Sequence, residues 1–396
     1  MHRLLFFTIS VVCTLIILNL RIVWKFRAFA SGIVSMSPPS SKPLVPISVI
    51  IPCKGNDGRL LENLENLLNQ DYPTAEFLLV TALEEDPAQV VFSQLRATHP
   101  AMQIKTVVAG ISPYGSEKNN NLLKAVAASD PDSEILVFLD ADGKSDRFLI
   151  RKLVSGLESS SFAGVTGYRW YEPRWHVLPE VLRTVWNGSG YCLLADTDTS
   201  FLWGGAMAFR RKTYEQAGFS DIWARAISTD SPLRVRLNSL GLETRFLPNC
   251  IVLSSAKDEW CSLFQWVSRQ TLMCRIYNKR MFAILFLANV VGNSLGLGLF
   301  IWGLTRWFAG SGLAAGFVGF FWIIHFGFAV GLMMTPIQQI LKASGIDLKL
   351  HKRILIVVSP LASFLEALSV IYCLFVKRVK WAGVTYEING QAAKRL

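Results

Sequence analysis

The chain has 396 residues, of which 51% are hydrophobic and only 17% charged, with a formal net charge of +11. So little charge over this length excludes a wholly soluble protein and puts part of the sequence in lipid. The positive excess does not mark a nucleic-acid binder, because no aromatic-basic recognition module accompanies it.

The basic residues crowd the ends of apolar segments instead: Arg21, Lys25 and Arg27, then Lys279 and Arg280, Lys352 and Arg353, and Lys377, Arg378 and Lys380. The anionic face of a bilayer accounts for that placement. Residues 4–20 are apolar and at the lower length limit for a spanning helix. Arg21, Lys25 and Arg27 separate them from the small residues of Ala28-Phe29-Ala30, whereas the approach to a signal-peptide cleavage site is uncharged. Residues 1–30 are therefore read as a retained anchor. Residues 31–46 are rich in Ser and Pro, most densely at Ser37-Pro38-Pro39-Ser40-Ser41, which is a linker composition.

From residue 47 the texture is that of an α/β domain, expected to extend to residue 259. Strands are predicted at 47–51, 77–80, 104–108 and 136–139. Between them Leu60, Leu61, Leu64, Leu67 and Leu68 recur at helical spacing, and 88–96 and 121–128 also read as helices. The alternation predicts a largely parallel, Rossmann-like sheet covered on both faces, with ligands collected at the carboxyl ends of its strands. Lys54, Asp86, Asp140 and Asp142 fall at such ends. Residues 260–280 are amphipathic and predicted to lie in the membrane interface below the site.

Residues 281–304, 308–334 and 354–376 are each long and apolar enough to cross a bilayer. If the α/β domain faces the cytosol, three full crossings put Lys377, Arg378 and Lys380 outside, against the positive-inside rule. One segment is therefore expected to be re-entrant or interfacial, and 354–376, with Pro360 and Glu366 inside it, is the weakest span. Residues 377–396 read as a basic tail. The seven cysteines are scattered singly, without metal or redox spacing, as in a reducing compartment. The five histidines are equally dispersed, which argues against zinc.

Asp140-Ala141-Asp142 ends an apolar run that starts at Ile135. Two carboxylates one residue apart suit a hard divalent cation, Mg²⁺ or Mn²⁺, and such a cation suits phosphate. The bland alternative is a turn, since Asp142-Gly143 is turn-like. Other polar groups weigh against it. Lys118-Asn119-Asn120-Asn121 opens a helix whose N-terminal amides can face phosphate. Glu84-Glu85-Asp86-Pro87 follows an earlier strand, and Asp230 lies downstream of Trp203-Gly204-Gly205. Together they point to an enzyme that uses a nucleotide-activated donor on a lipid-associated acceptor.

In this order the motifs resemble the inverting nucleotide-sugar glycosyltransferases of the GT-A fold, and most closely their membrane-bound, ceramide glucosyltransferase-like branch. The resemblance runs from about residue 47 to 276, with a shorter echo at Trp381-Ala382-Gly383 and Tyr386. Ile51-Pro52-Cys53-Lys54-Gly55 resembles the branch's opening strand and loop, and Asn63-Leu64-Glu65 with Gln70-Asp71-Tyr72-Pro73 its first helix and turn. The resemblance implies Asp86 near the nucleoside and Lys118, Asn120 and Asn121 as a Lys-x-Asn-Asn element. It implies Asp140 and Asp142 as the metal-binding D-x-D, Asp230 as the base, and Arg269 at the diphosphate.

Two departures are visible. Thr229 stands where the family usually has Glu before the base, and Trp266-Val267-Ser268-Arg269-Gln270 keeps only the arginine of a Q-x-x-R-W motif. The resemblance therefore implies a metal-dependent transfer of a hexose, with glucose from UDP-glucose expected, to the hydroxyl of ceramide, diacylglycerol or another lipid alcohol. A processive polysaccharide synthase is the alternative; it is disfavoured by the altered motif and by the small number of C-terminal segments. A non-catalytic receptor of the same fold is a third reading.

Trp203, Gly204 and Gly205 are left open between an acceptor pocket and tight packing. Asp57 reads as a solvated loop residue, and His176 and His325 as packing or interfacial residues. Glu366, in an apolar stretch, is a functional candidate by default or a headgroup-level residue. Asn187-Gly188-Ser189 is a glycosylation sequon by pattern.

Overall fold

In the computed structural model, residues 2–33, 44–158, 161–196, 199–255, 257–307 and 313–396 are described. The Ser/Pro-rich core of the expected linker, 34–43, and Phe308 lie outside them. Strands β1 (Ile47–Pro52), β2 (Ala75–Thr81), β3 (Gln103–Val108), β4 (Ile135–Leu139), β5 (Lys144–Ser145), β6 (Gly164–Glu172), β7 (Ala206–Arg210) and β8 (Thr244–Ser255) form one sheet. Their order is β3-β2-β1-β4-β7-β6-β8-β5. The half built from β3, β2, β1 and β4 is parallel, β7 runs against both its neighbours, and β6 and β8 are parallel to each other.

The sequence explains the parallel half directly. β1 and β4 are apolar at almost every position, as strands buried on both faces must be. In β4, Ile135, Val137 and Leu139 enter one core beneath the helices Leu60–Leu68, Ala88–Thr98 and Leu149–Glu158. Leu136 and Phe138 enter the other, covered by the helices Glu117–Ala128, Phe219–Trp223 and Ser231–Ser239. This is a GT-A-type α/β domain.

A third core joins the sheet to apolar helices. Tyr168, Trp170 and Phe246 of the sheet pack with the helix Leu178–Leu194, with Val23 and Phe26 of the N-terminal helix His2–Ile33, and with Met333, Met334 and Ile337 of the helix Leu313–Ala343. Among the described residues, four helical segments have the length and hydropathy to cross a membrane: Arg3–Ser31, Lys279–Trp307, Leu313–Ala343 and Lys352–Phe375. They associate the protein with the bilayer. The second contains a π-helical turn, Phe286–Val291. The segment 354–376 is one continuous helix despite Pro360. Its Ser359, Ser363, Glu366 and Ser369 are buried, while Val357, Leu368 and Phe375 are exposed.

The sequence reading gave no strand after 139 and took 377–396 as a tail. Instead, β9 (Arg378–Trp381), β10 (Val384–Asn389) and β11 (Ala392–Arg395) form an antiparallel sheet. It docks on the α/β domain through bridges between Tyr114 and Lys394 and between Ala226 and Ala392. The backbone amide of Ala393 donates to the Arg225 carbonyl, and that of Gly115 to the Ala393 carbonyl.

Candidate active site

A cavity of about 1130 Å³ opens at the carboxyl ends of β1 and β4. Lys54, Lys118, Asn121, Asp140, Asp142, Asp230 and Arg269 all line it. The parallel strands bring the first five residues to one edge, and the loop before Ser231–Ser239 and the helix Trp260–Tyr277 supply the other two.

Asp86 and Asn120 are not among the lining residues. The Asp86 carboxylate accepts from the amides of Gly55, at 2.8 Å, and Ala88, at 2.9 Å, and so fixes the loop carrying Lys54. The Asn120 side chain donates to the carbonyls of Gly110 and Ala109. Two amides of the first turn of Glu117–Ala128 already have partners: Glu117 N–H donates to the Tyr386 hydroxyl and Asn119 N–H to Ser116 Oγ. That leaves less of the helix end for phosphate than the sequence implied. Asn121 Oδ1 is buried without a partner.

The carboxylate pair is fully engaged by cations. Lys118 Nζ donates to Asp140 Oδ1 and, at 3.1 Å, to the Gly204 carbonyl. Arg169, from β6, donates to both oxygens of Asp142, at 2.6 Å on Oδ2, and to Asp140 Oδ2 at 2.9 Å. All four carboxylate oxygens therefore accept from Lys118 or Arg169. Burial works to raise the Asp142 carboxyl, but the Arg169 guanidinium and Lys118 hold it below the ordinary aspartate value.

Arg169 lies over Trp203 at 5.2 Å and Tyr171 at 5.8 Å, and Arg183 lies between Tyr171 at 4.7 Å and Trp266 at 4.5 Å. Rings and guanidinia thus alternate along one wall, a stack that favours arginine over lysine. Arg183 is paired with Asp258. Arg269 stacks on Trp381 of the C-terminal sheet at 5.3 Å, and among the described residues no carboxylate pairs with it. Burial, together with the neighbouring Arg183 and Arg169 charges, pulls its guanidinium below the usual arginine value. An unpaired, partly buried arginine in a cavity is a standing invitation to an anion.

Asp230 caps the helix Ser231–Ser239. Its Oδ1 accepts from Ser228 Oγ and from Ser231 N–H, each at 2.6 Å, and its Oδ2 from the Gly204 amide at 2.7 Å. Gly204 thereby links the Lys118–Asp140 pair to Asp230. Asn119 holds the same loop, donating to the carbonyls of Ala226 and Ser228 and accepting from Thr229 Oγ1.

Residues 5–393 match the family model for Glycosyl transferase family 21. The chain belongs to glycosyl transferase family 21. This family includes the ceramide glucosyltransferases, and glycosyl transfer is its chemistry. Ceramide glucosyltransferase 1 of Caenorhabditis elegans is 34% identical over 110 residues, 26% of this chain and 23% of that protein. The probable glycosyltransferase YdaM of Bacillus subtilis (strain 168) is 24% identical over 233 residues, 55% of this chain and 53% of that protein. The chain thus spans about a quarter of one relative and about half of the other. Among solved structures, a mannosyltransferase from Pyrobaculum calidifontis, in complex with GDP-Man and Mn²⁺, superposes with a TM-score of 0.52. It is 16% identical, and the match covers 93% of this chain and 99% of that one.

For this family 21 chain the donor set at β4 fits a Mg²⁺ or Mn²⁺ ion. It offers hard oxygens from two carboxylates, and Asp142 has a side chain 64% exposed at the cleft. Among the described residues no third His, Cys, Asp or Glu joins them. That suits an ion completed by diphosphate and water rather than one caged by protein. Arg169 must yield oxygens to such an ion.

Arg169, Arg183 and the Tyr386–Glu117 contact were not foreseen. A charged residue inside Tyr168-Arg169-Trp170-Tyr171 was the available signal, because a buried arginine requires a carboxylate. Gly204 and Gly205 serve both the site and packing. A Cβ on Gly205 would fall 2.1 Å from the Trp203 ring, and one on Gly204 would fall 3.2 Å from Asp230 Oδ2.

Proposed function

We propose that this protein is a membrane-bound inverting transferase that moves a hexose, with glucose the expected sugar, from a UDP-sugar to the hydroxyl of a lipid. In this reading residues 47–259 form the catalytic domain, facing the cytosol, and 260–280 lie at the interface. One observation carries the lipid assignment. The cavity that holds Asp142 and Asp230 is also lined by Leu15, Leu18, Phe326, Ala329 and Val330 of the apolar helices. A polar cleft continuous with an apolar one fits an acceptor with a hydroxyl head and hydrocarbon tails. The names of relatives and the GDP-Man and Mn²⁺ of the mannosyltransferase complex support a nucleotide-sugar donor.

In the proposed reaction Lys118 and Arg269 bind the diphosphate, and Gly204 N–H with Ser228 and Ser231 fix the Asp230 carboxylate. Asp230 takes the proton of the acceptor hydroxyl while that oxygen bonds to the anomeric carbon. The carbon–oxygen bond to the diphosphate breaks on the opposite face, and its electron pair leaves with the diphosphate. A divalent cation, held by Asp142 and Asp140 when bound, supplies further neutralisation of the leaving group. The lysine and arginine stabilise the same developing charge from fixed positions, at little reorganisation cost.

The test combines product identification with one variant. Membranes incubated with labelled UDP-sugars should yield a single labelled, extractable lipid, and a long polymer would instead support a polysaccharide synthase. Asp230→Asn should still bind donor while transfer falls by roughly 10²–10⁴-fold, the usual contribution of a general base. Near-normal turnover in that variant would remove Asp230 from the role.

A further inference from the structure

We propose that Arg169 is the cleft's own occupant of the cation site: its guanidinium holds Asp140 and Asp142 until nucleotide and metal arrive together, and the freed guanidinium then serves the diphosphate. The proposal rests on the donor and metal reading above and extends it to the order of binding.

Three observations carry it. The first is saturation: Arg169 takes three of the four carboxylate oxygens and Lys118 the fourth. Each oxygen keeps a second lone pair, but a divalent ion approaching it meets the Arg169 charge at close range, so binding favours exchange.

The second is charge. Among the cavity's lining residues Asp140, Asp142 and Asp230 are matched by Lys118, Arg169 and Arg269, and the other charged residues, Asp57, Glu117, Glu366, Lys54, Arg234 and Arg280, are likewise three of each sign. A divalent cation alone would leave two positive charges in excess, and the diphosphate diester of a nucleotide sugar alone two negative ones. Only the pair restores neutrality, and in a partly buried cleft that difference is steep. The ion is therefore admitted with its nucleotide.

The third is mounting. The Arg169 side chain is 10% exposed, its Nε is buried without a partner, and its guanidinium is flanked by Trp203 and Tyr171. The aromatic contacts do not depend on Asp142. They can keep the arginine at the cleft after its fork is released, within the arginine-lined wall that includes Arg269.

Binding of Mn²⁺ to the purified full-length protein, followed by loss of the free-ion paramagnetic resonance signal, tests the exchange without reference to turnover. Wild type should bind Mn²⁺ weakly alone and much more tightly with UDP. Arg169→Gln should bind Mn²⁺ alone about tenfold or more tightly than wild type, as expected when charge-assisted contacts no longer compete. It should also bind UDP more weakly, so that metal and nucleotide affinities move in opposite directions. A merely structural loss would weaken both.

Arg169→Lys, which keeps the charge and lacks the fork, should fall between the two and serves if Arg169→Gln does not fold. Adding Asp142→Asn to Arg169→Gln should abolish the gain. Equal Mn²⁺ affinity of wild type and the Arg169 variants without UDP would overturn the exchange. If wild type still bound Mn²⁺ with UDP, the donor reading would survive that result. Absence of Mn²⁺ binding in every arm would sink both.

Discussion

Gly204 is where the site's two charge systems meet. Its carbonyl accepts from Lys118, which is paired with Asp140, and its amide donates to Asp230. A methyl group there would meet Asp230 Oδ2 and Thr229 Cβ at 3.2 Å, tighter than ordinary contact, so the carboxylate must shift. Gly204→Ala should therefore lower kcat by up to about 10²-fold, the scale expected for sub-ångström to ångström misplacement of a reacting group. The affinity for UDP should change little, and a fall in UDP affinity equal to that in kcat would point to collapse of the pocket instead. The acidic residues of the site were legible because their chemistry is written locally: Asp140-Ala141-Asp142 follows an unmistakable apolar strand. Arg169 was not, because its meaning depends on β6 lying one strand beyond β7 from β4. No local pattern encodes that adjacency. The contact of Asp86 with the amides of Gly55 and Ala88 was not legible, since an aspartate before a helix reads the same whatever its carboxylate faces.

At the scale of elements, the C-terminal sheet is held by a small electrostatic relay. Glu117 pairs with Lys54 at 2.6 Å and with Arg395 at 2.9 Å, and its amide donates to Tyr386. Burial works to raise the Glu117 carboxyl, but the hydrogen bonds and charges of Lys54 and Arg395 leave it below the ordinary glutamate value of 4.5. A lowered carboxylate contributes docking stability above the ordinary value and loses it as pH falls through the lowered one. Acidification below about pH 4.5 should accordingly release β10 and β11, and Glu117→Gln should be partly released already at pH 7. Tyr386→Phe should cost about 1 kcal/mol of docking, one hydrogen bond's worth. Hydrogen exchange of residues 384–395, corrected for its intrinsic pH dependence, reads all three, and unchanged protection in Glu117→Gln would count against the relay. The signals for this sheet were present in the sequence. Val384, Tyr386 and Ile388 alternate inward, Asn389-Gly390 marks a hairpin, and Ala382 and Gly383 take positive φ at the other turn. The density of Lys and Arg obscured them. β1, β2 and β4 were legible because burial on both faces leaves a nearly uninterrupted apolar run, whereas β6 and β8 carry Arg169, Gly167 and Pro248 and a register shift between Thr166 and Tyr168.

For the whole molecule, the docked C-terminus constrains how the chain meets the bilayer. β11 pairs with the α/β domain, so the segments between Lys279 and Phe375 must cross an even number of times. Among the described residues three apolar helices fill that interval, so the docked sheet predicts that one of them does not cross. Contacts single out Lys352–Phe375. Just before its start, His351 stacks on Trp175, which follows β6; at its end Arg275 donates to the carbonyls of Cys373, Leu374 and Val376. Both ends thus touch the domain side, although a 24-residue helix is about 36 Å long, enough to span if it stood upright. Packed against Leu178–Leu194 and Trp260–Tyr277, it turns Glu366 toward Trp186 and Thr271 and lines the cavity with Ala362 and Ser363. The basic residues after it pointed the same way, because the positive-inside rule disfavours their export. Hydropathy alone does not separate an apolar helix lying in the membrane plane from a spanning one. Single cysteines introduced at Asp347, Lys377 and Asp57 should all be labelled by a membrane-impermeant thiol reagent from one side of sealed vesicles, and a cysteine at Trp307 only from the other. Labelling of Asp347→Cys and Lys377→Cys from opposite sides would make Lys352–Phe375 a true crossing. It would also require the docked sheet to leave the domain, a contradiction that the hydrogen exchange of residues 384–395 would expose independently.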